Sequence, residues 1–287
     1  MRLQEDTTRA LIRTALEEDL AYGPDLTSLA TVEPGSWSTA SVATRSDGVI
    51  AGRDIIGWTL AELVDGAETT YHCADGDQVA RGQVVATITA PTIELLTAER
   101  TLLNLLTHLS GIATATAAWV EAIGGTGAHT RVRDTRKTLP GLRAVEKYAV
   151  AAGGGVNHRM GLGDAALIKD NHVAATGGVV EALARVRARY PEAQCEVEVD
   201  TLEQFDAVLE QKPAEILLDN FTVAECAEAV RRRAGNAPEV LLEASGGLSL
   251  DKAADYAATG VDFLAVGALT HSVKALDLGL DFEDFDQ

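Results

Sequence analysis

From residue 130 onward the sequence alternates between short apolar runs and amphipathic stretches, and this alternation restricts the fold more than any other feature. HTRVRDT (129–135), AALIKD (165–170), QCEVEVD (194–200), EILLDN (215–220), EVLLEAS (239–245) and FLAVGA (263–268) read as strands. The stretches 140–152, 177–190, 201–210, 222–234 and 249–259 between them read as helices. Pro140 suits the first turn of the helix it opens, where a missing N–H costs nothing. Leu142, Val145, Ala149 and Ala152 then supply that helix with an apolar face. Near-continuously apolar strands separated by helices imply a parallel sheet covered on both faces. A right-handed series of such units curls into a barrel. A full eight-stranded barrel takes about 250 residues. Only about half the chain is available here, so the expectation is an α/β barrel with fewer strands.

The first 123 residues have a different texture. Leu11, Ile12, Ala15 and Leu16 recur at helical spacing within 4–20, and Tyr22-Gly23-Pro24-Asp25 ends that helix. Short β-like runs follow at 38–45, 47–52 and 68–73. DGDQVARGQVVATITA (75–90) resembles the hammerhead of biotinyl and lipoyl carrier domains. Such carriers need a modifiable lysine at a hairpin tip, and the first lysine of this chain is Lys137, so a structural use is expected. Residues 92–123 read as one long helix, apolar almost all round, which places it in a core or at a subunit interface. It carries Glu99, Arg100, Asn104 and His108, and Glu99–Arg100 is either a salt bridge or part of a site facing a ligand.

Charge is distributed unevenly. The chain carries a formal charge of −19, which argues against a nucleic-acid partner. Yet residues 134–173 hold Arg136, Lys137, Arg143, Lys147, Arg159 and Lys169 against only Asp134, Glu146, Asp164 and Asp170. A net-positive island in so acidic a chain points to an anionic ligand. The alternative is a solvated basic patch. No apolar run reaches the roughly 18 residues of a membrane span. The charged N-terminal stretch lacks a signal-peptide core, so no membrane partner is expected. Cys73, Cys195 and Cys226 are far apart, which argues against a zinc knuckle or a disulfide framework and fits a reducing cytoplasm.

The predicted strands end in polar residues one after another: Asp134, Arg136 and Lys137; Lys169 and Asp170; Glu198 and Asp200; Asp219 and Asn220; Glu243, Ser245, Gly246 and Gly247; and Gly267. One acid at a strand end is an ordinary helix cap. A succession mixing cations and carboxylates reads as a catalytic rim, because parallel barrels build active sites at these ends. Glu198 and Asp219, with Asp170 as a third candidate, suit Mg²⁺, which prefers oxygen ligands and keeps several waters. Ser245-Gly246-Gly247 and Val266-Gly267-Ala268 can present backbone N–H groups to a phosphate. Arg136 and Arg159 can grip carboxylates bidentately, and Lys137 and Lys169 are point charges suited to phosphates. Gly153-Gly154-Gly155 leads into His158 and Arg159 and lets both turn inward. Together these parts describe an enzyme that handles a phosphorylated sugar, Mg²⁺ and a small carboxylated partner.

At these residues the sequence resembles the quinolinate phosphoribosyltransferase family. The motifs that carry the resemblance are TAERTLLNLLTHLSGIAT (97–114), DTRKTLPGLRAVEKYAV (134–150) and GGGVNHRMGLGDAALIKDNH (153–172). EVEVD (196–200), ILLDNF (216–221), LEASGGLS (242–249) and GVDFLAVGALTHS (260–272) continue it. The resemblance implies an N-terminal α/β sandwich domain over 1–110, joined by a tail at 273–287, and an incomplete, roughly seven-stranded parallel α/β barrel over 111–272. A seventh strand is then expected near 155–159. It implies reaction of quinolinate with 5-phosphoribosyl 1-pyrophosphate to give nicotinate mononucleotide, pyrophosphate and CO₂, with Mg²⁺. It also implies a homodimer in which Arg100 reaches the neighbour's site, where with Arg136, His158 and Arg159 it lines the quinolinate pocket; Thr135 is a further implied substrate-binding residue. Lys137, Lys169, Glu198, Asp219, Ser245, Gly246, Gly247, Val266, Gly267, Ala268 and His271 fall to the sugar pyrophosphate and the metal. Lys137, Lys169, Glu198 and Asp219 are the implied catalytic residues.

Overall fold

The computed structural model describes residues 2–283, so the last four residues of the 273–287 tail lie outside the described residues. Twelve strands occur in chain order. They are β1 (Trp37–Thr44), β2 (Gly48–Val49), β3 (Glu68–Tyr71), β4 (Gln78–Val79), β5 (Val84–Pro91), β6 (Arg131–Arg133), β7 (Ala166–Ile168), β8 (Cys195–Val199), β9 (Glu215–Asp219), β10 (Leu241–Ser245), β11 (Phe263–Ala265) and β12 (Leu278–Phe282). The chain forms two compact units. The first comprises the residues up to Ala117, Leu139–Gly154, and those from Leu269 onward; the second comprises Ala118–Thr138 and Gly155–Ala268.

The first unit holds an antiparallel sheet in the order β12-β1-β5-β3. Alternation along β1 buries Ala40, Val42 and Thr44. Ala40 and Val42 meet Ala86, Ile88 and Ala90 of β5, and the helix Thr92–Gly124 adds Leu95, Ala98, Leu102, Leu103 and Leu106 to the same core. Burying each of the valine, leucine and isoleucine side chains among them stabilises the fold by about 1.5–3 kcal/mol. The carrier-like segment contributes β4, which pairs with β2, and nearly all of β5, a structural use. Segment Leu139–Gly154 is tied into this unit by two polar contacts. His108 Nε2 bonds Glu146 at 2.8 Å, and the Tyr148 hydroxyl donates to Asp75 at 2.5 Å. The helix here starts at Arg143 rather than at Pro140. Pro140 lies in a turn instead, because Gly141 at φ +81° is in left-handed backbone that a helix cannot contain.

The second unit carries a parallel six-stranded sheet in the order β6-β11-β10-β9-β8-β7. On the open side of β6 a single parallel bridge joins Val156 to Arg133. The helices Val179–Arg189, Leu202–Leu209, Val223–Asn236 and Ala253–Ala258 make the crossovers. Thr201 and Thr222 cap two of them, and Thr222 forms a reciprocal capping box with Glu225. The register sorts the side chains into two faces. Val132, Val197, Val199, Ile216, Leu218, Leu242, Ala244 and Leu264 share one face and are buried. The other face carries Arg133, Glu196, Glu198, Glu215, Asp219, Glu243 and Ser245. Among the described residues no helix is long and apolar enough to cross a membrane.

Candidate active site

The polar face divides into two levels. Because the strands are parallel, their C-terminal ends form one rim, which Lys137, Lys169, Glu198, Asp219, Ser245 and Gly267 reach or approach. Lys169 Nζ pairs with Glu198 Oε2 at 2.6 Å, and Lys169 remains 46% exposed. Its backbone N–H donates to His172 Nδ1 at 3.0 Å, which fixes the start of the helix Asp170–Thr176. Asp219 accepts a bond from Asn220 Nδ2 at 2.7 Å. Burial, followed by the nearby Glu198 and Asp200, raises the Asp219 carboxyl above the ordinary range, while Lys169 and Lys137 oppose the shift. Crowded carboxylates with two lysines nearby form a site that favours a bound cation and a phosphorylated ligand together. Asp170, a third candidate ligand, opens its helix and accepts the N–H of Asn171 at 2.7 Å.

The glycine loop after β10 is specified sterically. Gly246 adopts φ +84° and Gly247 φ +60°. A Cβ on Gly246 would run into Asn220, whose own backbone is left-handed at φ 57° and whose N–H donates to Ser245 O at 2.9 Å. The second expected phosphate loop needs correction at Val266. Its N–H donates to Arg133 O at 2.9 Å and is therefore taken by the sheet. Gly267 follows it, and Ala268 begins the short helix Ala268–His271.

The segment following Val156 is held by Asp134, which is fully buried at the end of β6. Asp134 accepts from Asn157 Nδ2 at 2.5 Å and from the His158 backbone N–H at 2.8 Å. Arg159 donates to Ala165 O at 2.9 Å. Burial and then the charge of Arg136 lower the Arg159 pKa, so the two guanidinium groups lie within electrostatic reach of each other. Arg136 Nε is buried without a hydrogen-bond partner among the described residues, and no ion pair joins Arg136 to a carboxylate there. Thr135 Oγ1 accepts the Lys137 N–H at 3.0 Å and closes the turn that carries Arg136. Arg100 and His271 belong to the first unit. Arg100 is exposed and pairs with Glu99 at 2.6 Å, and His271 contacts Ser272 at 2.6 Å.

Below the rim lies a buried charge cluster that the sequence reading did not separate out. Arg133 lies over the Phe263 ring, 3.4 Å from its centroid, and pairs with Glu215 and with Glu243, the latter at 2.6 Å. His158 Nε2 bonds Glu196 Oε2 at 2.6 Å. Glu243, expected at a strand end, sits mid-strand at 2% exposure. Burial, reinforced by Glu196, pushes its carboxyl to about 8. Burial, reinforced by Glu215, raises Glu196 likewise. His158, Glu196 and Glu243 bring potential ligand atoms within 4.8 Å of one another. Arg133 already answers the charge of Glu243, however, so this cluster reads as an ion network and not as a metal centre.

Residues 112–281 match the quinolinate phosphoribosyl transferase C-terminal domain and residues 25–110 match its N-terminal domain. The chain belongs to the quinolinate phosphoribosyltransferase family. A nicotinate-nucleotide pyrophosphorylase [carboxylating] of Mycobacterium leprae is 60% identical over 278 residues, 96% of this chain and 97% of the relative. A probable member from Bacillus subtilis is 40% identical, covering 92% of this chain and 89% of its own length. The solved nicotinate-nucleotide pyrophosphorylase of Francisella tularensis superposes with a TM-score of 0.90 at 35% identity, covering 98% of each chain. The two family domains meet between residues 110 and 112, within the helix Thr92–Gly124.

Proposed function

We propose that the chain is a carboxylating nicotinate-nucleotide pyrophosphorylase, a pentosyltransferase of NAD biosynthesis. It converts quinolinate and 5-phosphoribosyl 1-pyrophosphate to nicotinate mononucleotide, pyrophosphate and CO₂. One observation carries this reading: the buried Arg136 Nε has no hydrogen-bond partner among the described residues, and Arg136 lies within electrostatic reach of Arg159. Paired guanidinium groups suit a dicarboxylate, and the lysines and crowded acids at the strand ends suit a sugar pyrophosphate.

In this reading Arg136, Arg159, His158 and Thr135 orient quinolinate so that its ring nitrogen faces C1 of the ribose. Lys137 and Lys169 neutralise the departing pyrophosphate, and the N–H groups of Gly246 and Gly247 cradle phosphate oxygens beside Ser245 and Gly267. Glu198 and Asp219 face the positive charge that develops at C1. The donor set fits Mg²⁺, because the raised Asp219 carboxyl beside Glu198 and Asp200 marks acids that gain from a cation. Glu198 and Asp219 would hold it, with Asp170 as the third candidate, and it would supply charge neutralisation for the pyrophosphate. Once the ring nitrogen has bonded to C1, it carries positive charge and draws electrons. The bond to the 2-carboxylate then breaks, its electron pair stays on the ring carbon, CO₂ leaves, and a proton takes its place.

Contacts across the sheet support an incomplete, seven-stranded barrel. Five strand spacings separate Val156 from β8, roughly 24 Å in a flat sheet, yet His158 bonds Glu196 at 2.6 Å. A seventh strand at Val156 closes most of the circle. The exposed Arg100 on the first unit suits a homodimer in which it completes the neighbour's site. Three free, buried cysteines support a cytoplasmic setting, and the charge of −19 speaks against a nucleic-acid partner.

The test mixes purified protein, Mg²⁺ and 5-phosphoribosyl 1-pyrophosphate with either quinolinate or nicotinate. Nicotinate mononucleotide and equimolar CO₂ from quinolinate are expected. Product from nicotinate alone overturns the assignment. For the dimer, R100A and K169A proteins, each inactive alone, are mixed and allowed to exchange subunits. Recovered activity is expected because one site of each mixed dimer is then intact, and no recovery sinks the shared site.

A further inference from the structure

The buried cluster contains three glutamates, and they do not have equivalent partners. Arg133 engages Glu215 and Glu243. Glu196 is 5% exposed, and the side-chain bond it makes is to His158 Nε2, at 2.6 Å. Its second oxygen, Oε1, is buried with no hydrogen-bond partner among the described residues. A carboxylate serving stability alone would be expected to satisfy both oxygens, because a buried unpaired acceptor costs free energy. Retaining Glu196 here therefore calls for a role beyond stability, and its one side-chain partner indicates where that role lies. His158 is gripped from two sides: its backbone N–H by Asp134 Oδ1 at 2.8 Å and its ring by Glu196. The next residue is Arg159, which feels the charge of Arg136. An imidazole held through Nε2 presents Nδ1 on the opposite side of its ring, and a carboxylate on one ring nitrogen fixes both ring orientation and tautomer.

We propose that Glu196 is a positioning residue for the pyridine dicarboxylate: by holding His158 Nε2 from beneath the rim, it sets the imidazole against a substrate carboxylate beside Arg136 and Arg159. The inference rests on the reading of the chain as a carboxylating pyrophosphorylase that uses His158. Glu196 touches no substrate in this account. It acts through His158 and on the pyridine substrate only, since the sugar pyrophosphate is held by Lys137, Lys169 and the glycine loop.

That selectivity gives the test a readout that a merely structural glutamate would not move. KM for quinolinate and KM for 5-phosphoribosyl 1-pyrophosphate are measured separately for wild type, E196A, E196Q, H158A and H158A/E196A. E196A is expected to raise the quinolinate KM about tenfold or more, the scale of a lost charge-assisted hydrogen bond, with the other KM little changed. E196Q keeps an oxygen able to accept from Nε2 and is expected to recover most of the loss. The double variant is expected to match H158A, because Glu196 has nothing left to position. A quinolinate KM for E196A within about twofold of wild type overturns the proposal, as does a double variant in which the two single effects multiply. If E196A does not fold, E196L, of similar volume and without an acceptor, takes its place in the same comparisons. Wild-type protein that yields no product from quinolinate refutes the underlying reading. Wild-type turnover with an unmoved E196A refutes this inference alone.

Discussion

The parallel sheet carries two ionic groups on one face, and they differ in what surrounds them. Lys169–Glu198 at the rim is a pair with one partner 46% exposed, open to exchange with solvent or ligand. Arg133 with Glu215 and Glu243 is nearly sealed, its three side chains 11%, 13% and 2% exposed. An exposed pair contributes between zero and about 1 kcal/mol to stability. A sealed network that loses one partner costs about 3–5 kcal/mol, because it strands a charge away from water. Cations and carboxylates of one parallel sheet thus differ by depth: the rim pair stays open to solvent, and the interior charges are committed to one another.

Separating the two roles by mutation gives the largest effects. R133M should destabilise the protein by about 3–5 kcal/mol in urea denaturation by leaving the Glu215 carboxylate, only 13% exposed, without its cation. A midpoint close to wild type would show that the network is solvated. K169A should do the reverse, lowering kcat/KM by about 100- to 1,000-fold while leaving the urea midpoint nearly unchanged. Wild-type activity in K169A would remove Lys169 from the site. R136A should raise the quinolinate KM by about ten- to a hundredfold and spare the sugar-pyrophosphate KM. Equal effects on both substrates would argue against its role as a carboxylate clamp.

The pH response sharpens the contrast further. Glu243 has its carboxyl raised from 4.5 to about 8, so the folded chain keeps a proton that the unfolded chain has already released. Below the unfolded value the group is neutral in both states and costs nothing. As pH rises through this window the unfolded chain gains relative stability, so folding stability should fall between about pH 5 and pH 8 and level off above. E243Q, with no proton to lose, should show a flatter Tm profile over that range, and parallel profiles would assign the slope to other groups. The smallest effect belongs to the helix start at Thr222, where T222A should cost about 1 kcal/mol through loss of the cap.

Much of the second unit was legible because its strands and helices obey different periods. β8, β9 and β10 fall within the runs read as strands and differ from them by no more than two residues at either end. The helix entry at Pro140 was misread because proline is at home both in a first turn and in an isolated turn, and Gly141 decides between them only through its backbone angle. Helix Asp54–Ala61 and strand β12 were missed because each is short and its pairing is distant in sequence. In the site, cations and acids at strand ends announced themselves by position. Glu196 did not, although a signal was present. In CEVEV the alternation puts Glu196 on the same face as Glu198, so a glutamate one step deeper than the rim was readable as an inward charge. What the sequence could not say was which partner Glu196 meets, because His158 comes from the far edge of the sheet.

Strand β12 carries a consequence for how the molecule is made. It pairs with β1 along Ala40–Thr44, yet it is synthesised after almost everything else. At translation rates of about 5–20 residues per second, β1 waits on the order of tens of seconds with one hydrogen-bonding edge unoccupied. An open edge is a template for association with other nascent chains. The amino-terminal unit thus cannot finish folding early, and quality control of this protein must bridge an interval set by ribosome speed rather than by the folding of its own core.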